Sequence, residues 1–184
     1  RFTVPAGWPE PVYDLATNTI TTAGFELGKK LFYDGLLSRD GNFSCGTCHT
    51  QFAAFANFEH DLSHGIDDQF TSRNAPGLFN LAWKKNFMWD GITHLDLQPL
   101  APITAHNEMG ETLDNVIGKL RSDAVYRNMF NKAFGDTLIN TQRRTRALSQ
   151  FVMMMVSANS KYDRVMQGKD TFILPEKLGY GIFK

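Results

Sequence analysis

Charge of one sign is missing from this sequence: 19 basic and 19 acidic side chains cancel, leaving no basic field for a polyphosphate backbone, so nucleic acid is not an expected partner. Long hydrophobic runs are missing too. The nearest candidate, Phe151 to Val156, falls far short of the roughly 18 to 20 residues that a membrane-spanning helix requires, and no membrane span is expected. Cysteine is scarce, with only Cys45 and Cys48 in 184 residues; two so close together cannot build the disulfide framework of a small secreted domain, and they mark a site instead. There is no internal repeat, no low-complexity segment and no sustained alternation of the kind that makes strands. Nor is there a phosphate loop, a Gly-x-Gly-x-x-Gly or a Ser/His/Asp order, which sets aside nucleotide enzymes and hydrolases. At Arg1 no basic segment is followed by an apolar one, so any export signal is expected to have been removed ahead of this start.

What is present reads as one all-α domain with an extended N-terminal arm. Residues 1–22 carry Pro5, Pro9 and Pro11 without periodicity and are expected to run extended over the surface. Thr22 can cap a helix through Phe32 that ends at Asp34-Gly35. Leu113, Val116, Ile117 and Leu120 fall at i, i+3, i+4, i+7, and Tyr126, Met129, Phe130 and Ala133 repeat that spacing before Gly135, which predicts two amphipathic helices. A third is predicted from Thr141 to about Ala158, with Leu148, Phe151, Val152 and Met155 inward. Arg143, Arg144 and Arg146 would point outward in a first turn that opposes the helix dipole and frays. The three methionines Met153, Met154 and Met155 cannot share a helix face and read as core packing.

Between Asn42 and Asn107 neither a 2.0 nor a 3.6 period persists. Irregular chain of roughly 65 residues is uncommon in a compact domain and points to a bound group that organises it. Inside it stands Cys45-Gly46-Thr47-Cys48-His49, the c-type haem attachment pattern. On one helical turn the sulfurs at i and i+3 reach the two vinyl groups of one porphyrin, while His49 offers its imidazole to the iron as proximal ligand. Two other readings stay open on the residues alone. A Cys-x-x-Cys can be a redox dithiol, although no βαβ pattern surrounds this one, and a zinc site could recruit a further histidine.

An ordered series of landmarks runs from about Gly24 to Tyr162: Leu27-Gly28-Lys29-Lys30-Leu31-Phe32-Tyr33-Asp34, Leu37-Ser38, the haem motif, Arg73-Asn74-Ala75-Pro76, Trp89-Asp90-Gly91, Gln98, Glu108-Met109-Gly110, Ala133-Phe134-Gly135-Asp136, Asn159-Ser160 and Tyr162-Asp163. In this series the sequence resembles the N-terminal, peroxidatic haem domain of the bacterial di-haem cytochrome c peroxidases and their MauG-like relatives. The resemblance implies a cytochrome c-like fold over 23–168 that carries one covalent, low-potential, peroxide-reactive haem. It implies Glu108 as acid/base, Gln98 as the group that orients peroxide, and Trp89 as an electron relay towards a second haem. A carboxylate at Glu108 also makes independent sense, because cleaving a peroxide O–O bond requires a proton to move from one oxygen to the other. His64 is the implied distal ligand of the resting iron, with His60 as its rival. Arg73 would meet a haem propionate, and Asn74 would be a ligand of calcium at a domain interface. His94 and His106 read as loop residues.

Two positions depart from the family pattern, Met88 where an aromatic is common and Ile92 where arginine is usual. The larger departure is that Cys45-x-x-Cys48-His49 is the only such motif, so 169–184 is expected to be a linker towards a second haem domain. The expected function is reduction of hydrogen peroxide in the periplasm, with electrons from a small cytochrome c or cupredoxin; the resemblance also allows a homodimer. A MauG-like oxidase of another substrate and a mono-haem electron-transfer cytochrome are the alternatives.

Overall fold

A threonine cap opens the first helix of the computed structural model, which describes residues 2–91 and 93–184; the departure at Ile92 lies outside the described residues. The Thr21 hydroxyl accepts from the Gly24 N–H, and helix α1 spans Thr22–Tyr33 with Leu27, Leu31 and Phe32 buried. The cap is one residue earlier than Thr22, and the helix ends at Asp34 as expected. Helix α2, Cys45–Cys48, is a single turn, and α3, Leu100–Thr104, little more. Helix α4, Leu113–Ser122, is capped by Thr112, and α5, Ala124–Phe134, is capped by Asp123 and closed by Gly135 at φ 84°, a left-handed position that suits glycine. Helices α6, Thr141–Met153, α7, Lys161–Met166, and α8, Leu174–Phe183, complete the chain. Among the described residues β-structure is limited to isolated bridges such as Thr50 with Ala56 and His64 with Phe70, so the architecture is all-α.

The core is built where α1 crosses α6. A Cβ placed on Gly28 would stand 2.0 Å from the Ala147 carbonyl oxygen, and one on Gly24 would stand 2.0 Å from Gln150 Oε1, so the two helices meet almost backbone to backbone. Phe151 of α6 then packs on Phe25 and Phe32 of α1, with ring centroids 5.4 and 5.1 Å away.

Three expectations for α6 need correction. It stops at Met153 rather than near Ala158, because Asn80 takes over the backbone beyond it: the Asn80 N–H donates to the Met155 carbonyl (2.9 Å), and its side chain exchanges two bonds with Ser157. Its first turn is not frayed, since the Asn140 side chain accepts from the Arg143 N–H and Arg143 pairs with Asp136. Arg144 does not point outward; it is fully buried.

Residues 2–21 of the N-terminal arm contain no helix and are tied down at several points. The Val12 and Tyr13 N–H groups donate to the Ala82 carbonyl, and Trp83 Nε1 donates to the Pro9 carbonyl at 2.7 Å. A polar chain then runs inward. The Tyr13 hydroxyl donates to Asp96, Asn18 Nδ2 donates to the Tyr13 oxygen, Gln150 Nε2 donates to Asn18, and the Thr21 N–H closes on Gln150 Oε1. At the other end, residues 174–183 of the segment expected to be a linker are helical. They leave Leu174, Leu178, Ile182 and Phe183 exposed.

Candidate functional site

Helix α2 is one turn because Ser44 and Thr47 close it on each other, the Ser44 N–H donating to Thr47 Oγ1 (3.1 Å), and the His49 N–H continues the turn to the Cys45 carbonyl (2.9 Å). Cys45, Cys48 and His49 therefore share one helical turn, as the motif predicts. Gly46 is required there, since a Cβ would lie 2.6 Å from the Tyr33 ring. Burial pushes the Cys45 thiol up to about 12 and raises Cys48 as well. A reactive dithiol needs the opposite shift, so the redox reading loses its physical basis. Among the described residues no three His, Cys, Asp or Glu side chains converge as a metal site, which removes support from the zinc reading.

The His49 imidazole is fixed in one tautomer. Its Nδ1 lies 2.7 Å from the Phe55 carbonyl, which can only accept, so Nδ1 carries the proton and Nε2 keeps its lone pair. Burial lowers the pKa of the ring against the upward pull of the Phe55 and Pro76 carbonyls, and the imidazole stays neutral. A neutral ring with its second nitrogen tied to a carbonyl is what iron ligation requires. Phe55 presents that carbonyl from a left-handed conformation (φ 59°). All seven non-glycine residues with positive φ among those described, Ala54 to Met88, lie inside the irregular stretch that the sequence marks out.

Opposite Cys48 the chain from Ser63 to Thr71 folds back on itself and is stitched to Glu108. The Gly65 N–H donates to the Gln69 carbonyl (2.8 Å), the Ile66 N–H to the Glu108 carbonyl (2.9 Å), and Asn107 Nδ2 to the Phe70 carbonyl (3.0 Å). A side chain at Gly65 would strike the Asn107 carbonyl at 2.1 Å. This stitching brings two candidates to Cys48: the backbone of His64 and the Glu108 carboxylate. Its thiol lies 4.0 Å from the His64 carbonyl, and the Glu108 carboxylate is close enough to act on the thiol electrostatically. Glu108 is half-buried, and burial raises its pKa. The two rival histidines turn out to be neighbours: the exposed His64 ring packs on Phe70 (4.5 Å) and edge to face with His60 (5.3 Å).

Gln98 and Trp89 belong to a separate group joined to Glu108 through α3. Gln98 Nε2 donates to Met88 Sδ (3.8 Å), while Trp89 is 84% exposed beneath the Arg73 guanidinium at 5.7 Å. Asn74 is exposed and donates from Nδ2 to the Asp61 carbonyl (2.9 Å).

Arg144 is the residue that sequence reasoning placed wrongly. None of its three guanidinium nitrogens has a hydrogen-bond partner among the described residues, and its charge acts on Cys45. Burial draws its pKa down to about 10, so it stays charged at neutral pH. The signal was available, because Arg144, Leu148 and Phe151 fall at i, i+4, i+7 on the inward face of α6. Two thiols and a neutral, pre-oriented imidazole on one turn form a set that fits a covalent haem.

The sequence model of the Di-haem cytochrome c peroxidase family matches residues 22–171. A Methylamine utilization protein MauG from Methylophilus methylotrophus is 34% identical over 185 residues, covering 100% of this chain and 54% of the relative. A Cytochrome c551 peroxidase from Nitrosomonas europaea is 31% identical over 188 residues, covering 95% of this chain and 53% of the relative. Among solved structures, a MauG-like protein associated with microbial copper homeostasis superposes with a TM-score of 0.88 at 30% identity, over 100% of this chain and 54% of that one. The fold is thus the cytochrome c-like helical one, and the chain spans about half the length of the relatives it matches.

Proposed function

The chain belongs to the di-haem cytochrome c peroxidase family, whose members carry c-type haem, and from that premise we propose that it is the peroxidatic haem domain of such an enzyme. The observation that carries this reading is the half-buried Glu108 carboxylate, raised in pKa and set beside Cys48 by the Ser63–Thr71 loop. Cys45 and Cys48 would hold the haem through thioethers and His49 Nε2 would ligate its iron. When bound, the haem would supply redox-active iron. Glu108 takes a proton from one peroxide oxygen and delivers it to the departing one, which suits a carboxyl whose pKa burial has raised towards the working pH. Gln98, as a neutral donor, orients the peroxide. Two electrons and two protons per hydrogen peroxide yield two waters.

His64, or its neighbour His60, would cap the iron in the resting protein and leave it on reduction; an exposed ring on a short loop can move without disturbing the core. Trp89, solvent-facing, would meet a second haem domain that residues 169–184 lead to and pass electrons from it, while Asn74 would help hold calcium at that interface. Arg73 could serve a propionate once released from Trp89. The donor would be a small cytochrome c or cupredoxin and the compartment the periplasm.

A second reading has its own support: MauG proteins from two organisms are each 34% identical to this chain, slightly above the cytochrome c551 peroxidases. In that case the same haem would oxidise another substrate. Peroxide turnover of the full-length, haem-loaded protein with reduced cytochrome c tests the choice. The peroxidase reading expects catalytic turnover that Glu108→Gln lowers by roughly 10²- to 10⁴-fold with the haem spectrum retained. Peroxide reactivity without turnover of the donor would favour the MauG-like reading.

A further inference from the structure

The Tyr13 hydroxyl joins two segments 83 residues apart, donating to Asp96 Oδ1 at 2.8 Å, and the Tyr13 ring packs on His94 with centroids 5.6 Å apart. Tyr13 is buried, and burial raises its pKa, so the hydroxyl stays protonated and donates. It does not hang on a loose arm. Its oxygen accepts from Asn18 Nδ2 (3.0 Å), Gln150 Nε2 of α6 donates to Asn18 (2.9 Å), and the Thr21 N–H at the cap of α1 donates to Gln150 (3.0 Å). Asn18 and Gln150 are buried as well, where hydrogen bonds are strong and fix direction. The series of bonds carries the position of the α1–α6 core out to one partly exposed carboxylate, Asp96.

Asp96 sits in the turn that ends at Gln98. The Gln98 N–H is shared between the His94 (3.1 Å) and Leu95 (3.2 Å) carbonyls, and the Asp96 N–H donates to His94 Nδ1 (3.2 Å). These bonds shape the turn internally but do not place it on the core. Leu95 is buried and anchors the turn, yet apolar contact is non-directional. Tyr13 supplies the direction by gripping the turn twice, with its ring at His94 and its hydroxyl at Asp96. The Gln98 amide needs such a frame, because its Nε2 meets a thioether, Met88 Sδ at 3.8 Å, which is a weak acceptor. We propose that Tyr13 is a positioning residue for the reaction with peroxide: acting through Asp96, it sets the turn that aims the Gln98 amide. The proposal rests on the reading of Gln98 as the group that orients peroxide and goes beyond it by giving the N-terminal arm a part in that step. Glu108 is held separately, by the Ile66 N–H on its carbonyl, so the effect falls on Gln98.

The test uses the full-length, haem-loaded protein and reads the second-order rate constant for hydrogen peroxide from the Soret change, beside hydrogen exchange of the peptide 94–104. Gln98→Ala comes first; a parental rate constant there would remove Gln98 from the peroxide site and overturn that reading and this inference together. With Gln98→Ala slowed, Tyr13→Phe, which keeps the ring and loses only the hydroxyl, is expected to lower the rate constant by roughly 10-fold, less than the roughly 10²-fold that a misplacement of about 1 Å can cost. Exchange across 94–104 is expected to quicken in the same variant, because the turn has lost its directional anchor. Asp96→Ala should match Tyr13→Phe, whereas Asp96→Asn, which still offers an oxygen to the hydroxyl, should stay near the parent. On a Gln98→Ala background, Tyr13→Phe should add little, since both act on one group. A Tyr13→Phe protein that melts earlier but keeps the parental rate constant would show a structural role only and overturn the proposal, leaving the reading of Gln98 intact. If Tyr13→Phe does not fold, the comparison of Asp96→Ala with Asp96→Asn breaks and restores the same bond from its exposed end and decides the matter.

Discussion

Glu108 and His49 illustrate how burial divides labour between two titratable groups in one site. Burial penalises the charged form of both, which raises the carboxyl and lowers the imidazole: the ring is kept neutral for ligation, and the Glu108 carboxylate becomes a stronger base. For Glu108 this has a consequence for stability. A carboxyl whose pKa rises on folding contributes stability below its unfolded pKa and loses it as pH climbs through the folded value. Glu108→Gln is therefore expected to unfold at a higher denaturant midpoint than the parent at neutral pH, with the gap closing in acid below the ordinary glutamate range; chemical denaturation at pH 4 and pH 7 checks the sign. Peroxide turnover should carry a basic-side requirement from the same group, rising with pH through the raised pKa in the parent and losing that limb in Glu108→Gln. The motif Cys45-x-x-Cys48-His49 was legible in the sequence because its spacing is local. The Phe55 carbonyl on His49 and the stitching of Ile66 to Glu108 were not, because they depend on left-handed backbone positions and on pairings between segments far apart in the chain.

At the scale of helices, α4 and α5 follow their apolar spacing and α5 closes at Gly135 as read, while the structure adds the N-terminal caps Thr112 and Asp123. Helix α6 begins at Thr141 as predicted and departs from expectation twice, for tertiary reasons: Asn80 captures the chain after Met153, and the buried Arg144 sits where a run of arginines reads as a solvated turn. Two glycines give an internal control on helix packing. Gly28 has no room for a methyl group against the Ala147 carbonyl, whereas Gly118 in α4 faces open space. Gly28→Ala should destabilise by about 1–3 kcal/mol as α1 and α6 are forced apart, despite the better helix propensity of alanine. Gly118→Ala should stabilise by up to about 1 kcal/mol. Thermal melts of the two variants beside the parent read both signs; equal effects would mean that α1 and α6 do not meet at Gly28.

The whole molecule places its ordinary helices on one side of the problem and its irregular chain on the other. Helices α1, α4, α5 and α6 supply the core, and the stretch from Asn42 to Asn107, with every described left-handed non-glycine residue, supplies the surroundings of the haem motif. That division explains why the all-α class could be read from periodicity while the site could be read only from the motif and from family resemblance: loops positioned by a bound group carry no period of their own. In the function proposed, the haem held by Cys45, Cys48 and His49 is the one that reacts with peroxide. The most direct measurement is the Soret spectrum of the full-length, haem-loaded protein, reduced and then mixed with hydrogen peroxide. A prompt shift, greatly slowed in Glu108→Gln, is expected. A low-spin spectrum that peroxide leaves unmoved would contradict that function and identify an electron-transfer cytochrome instead.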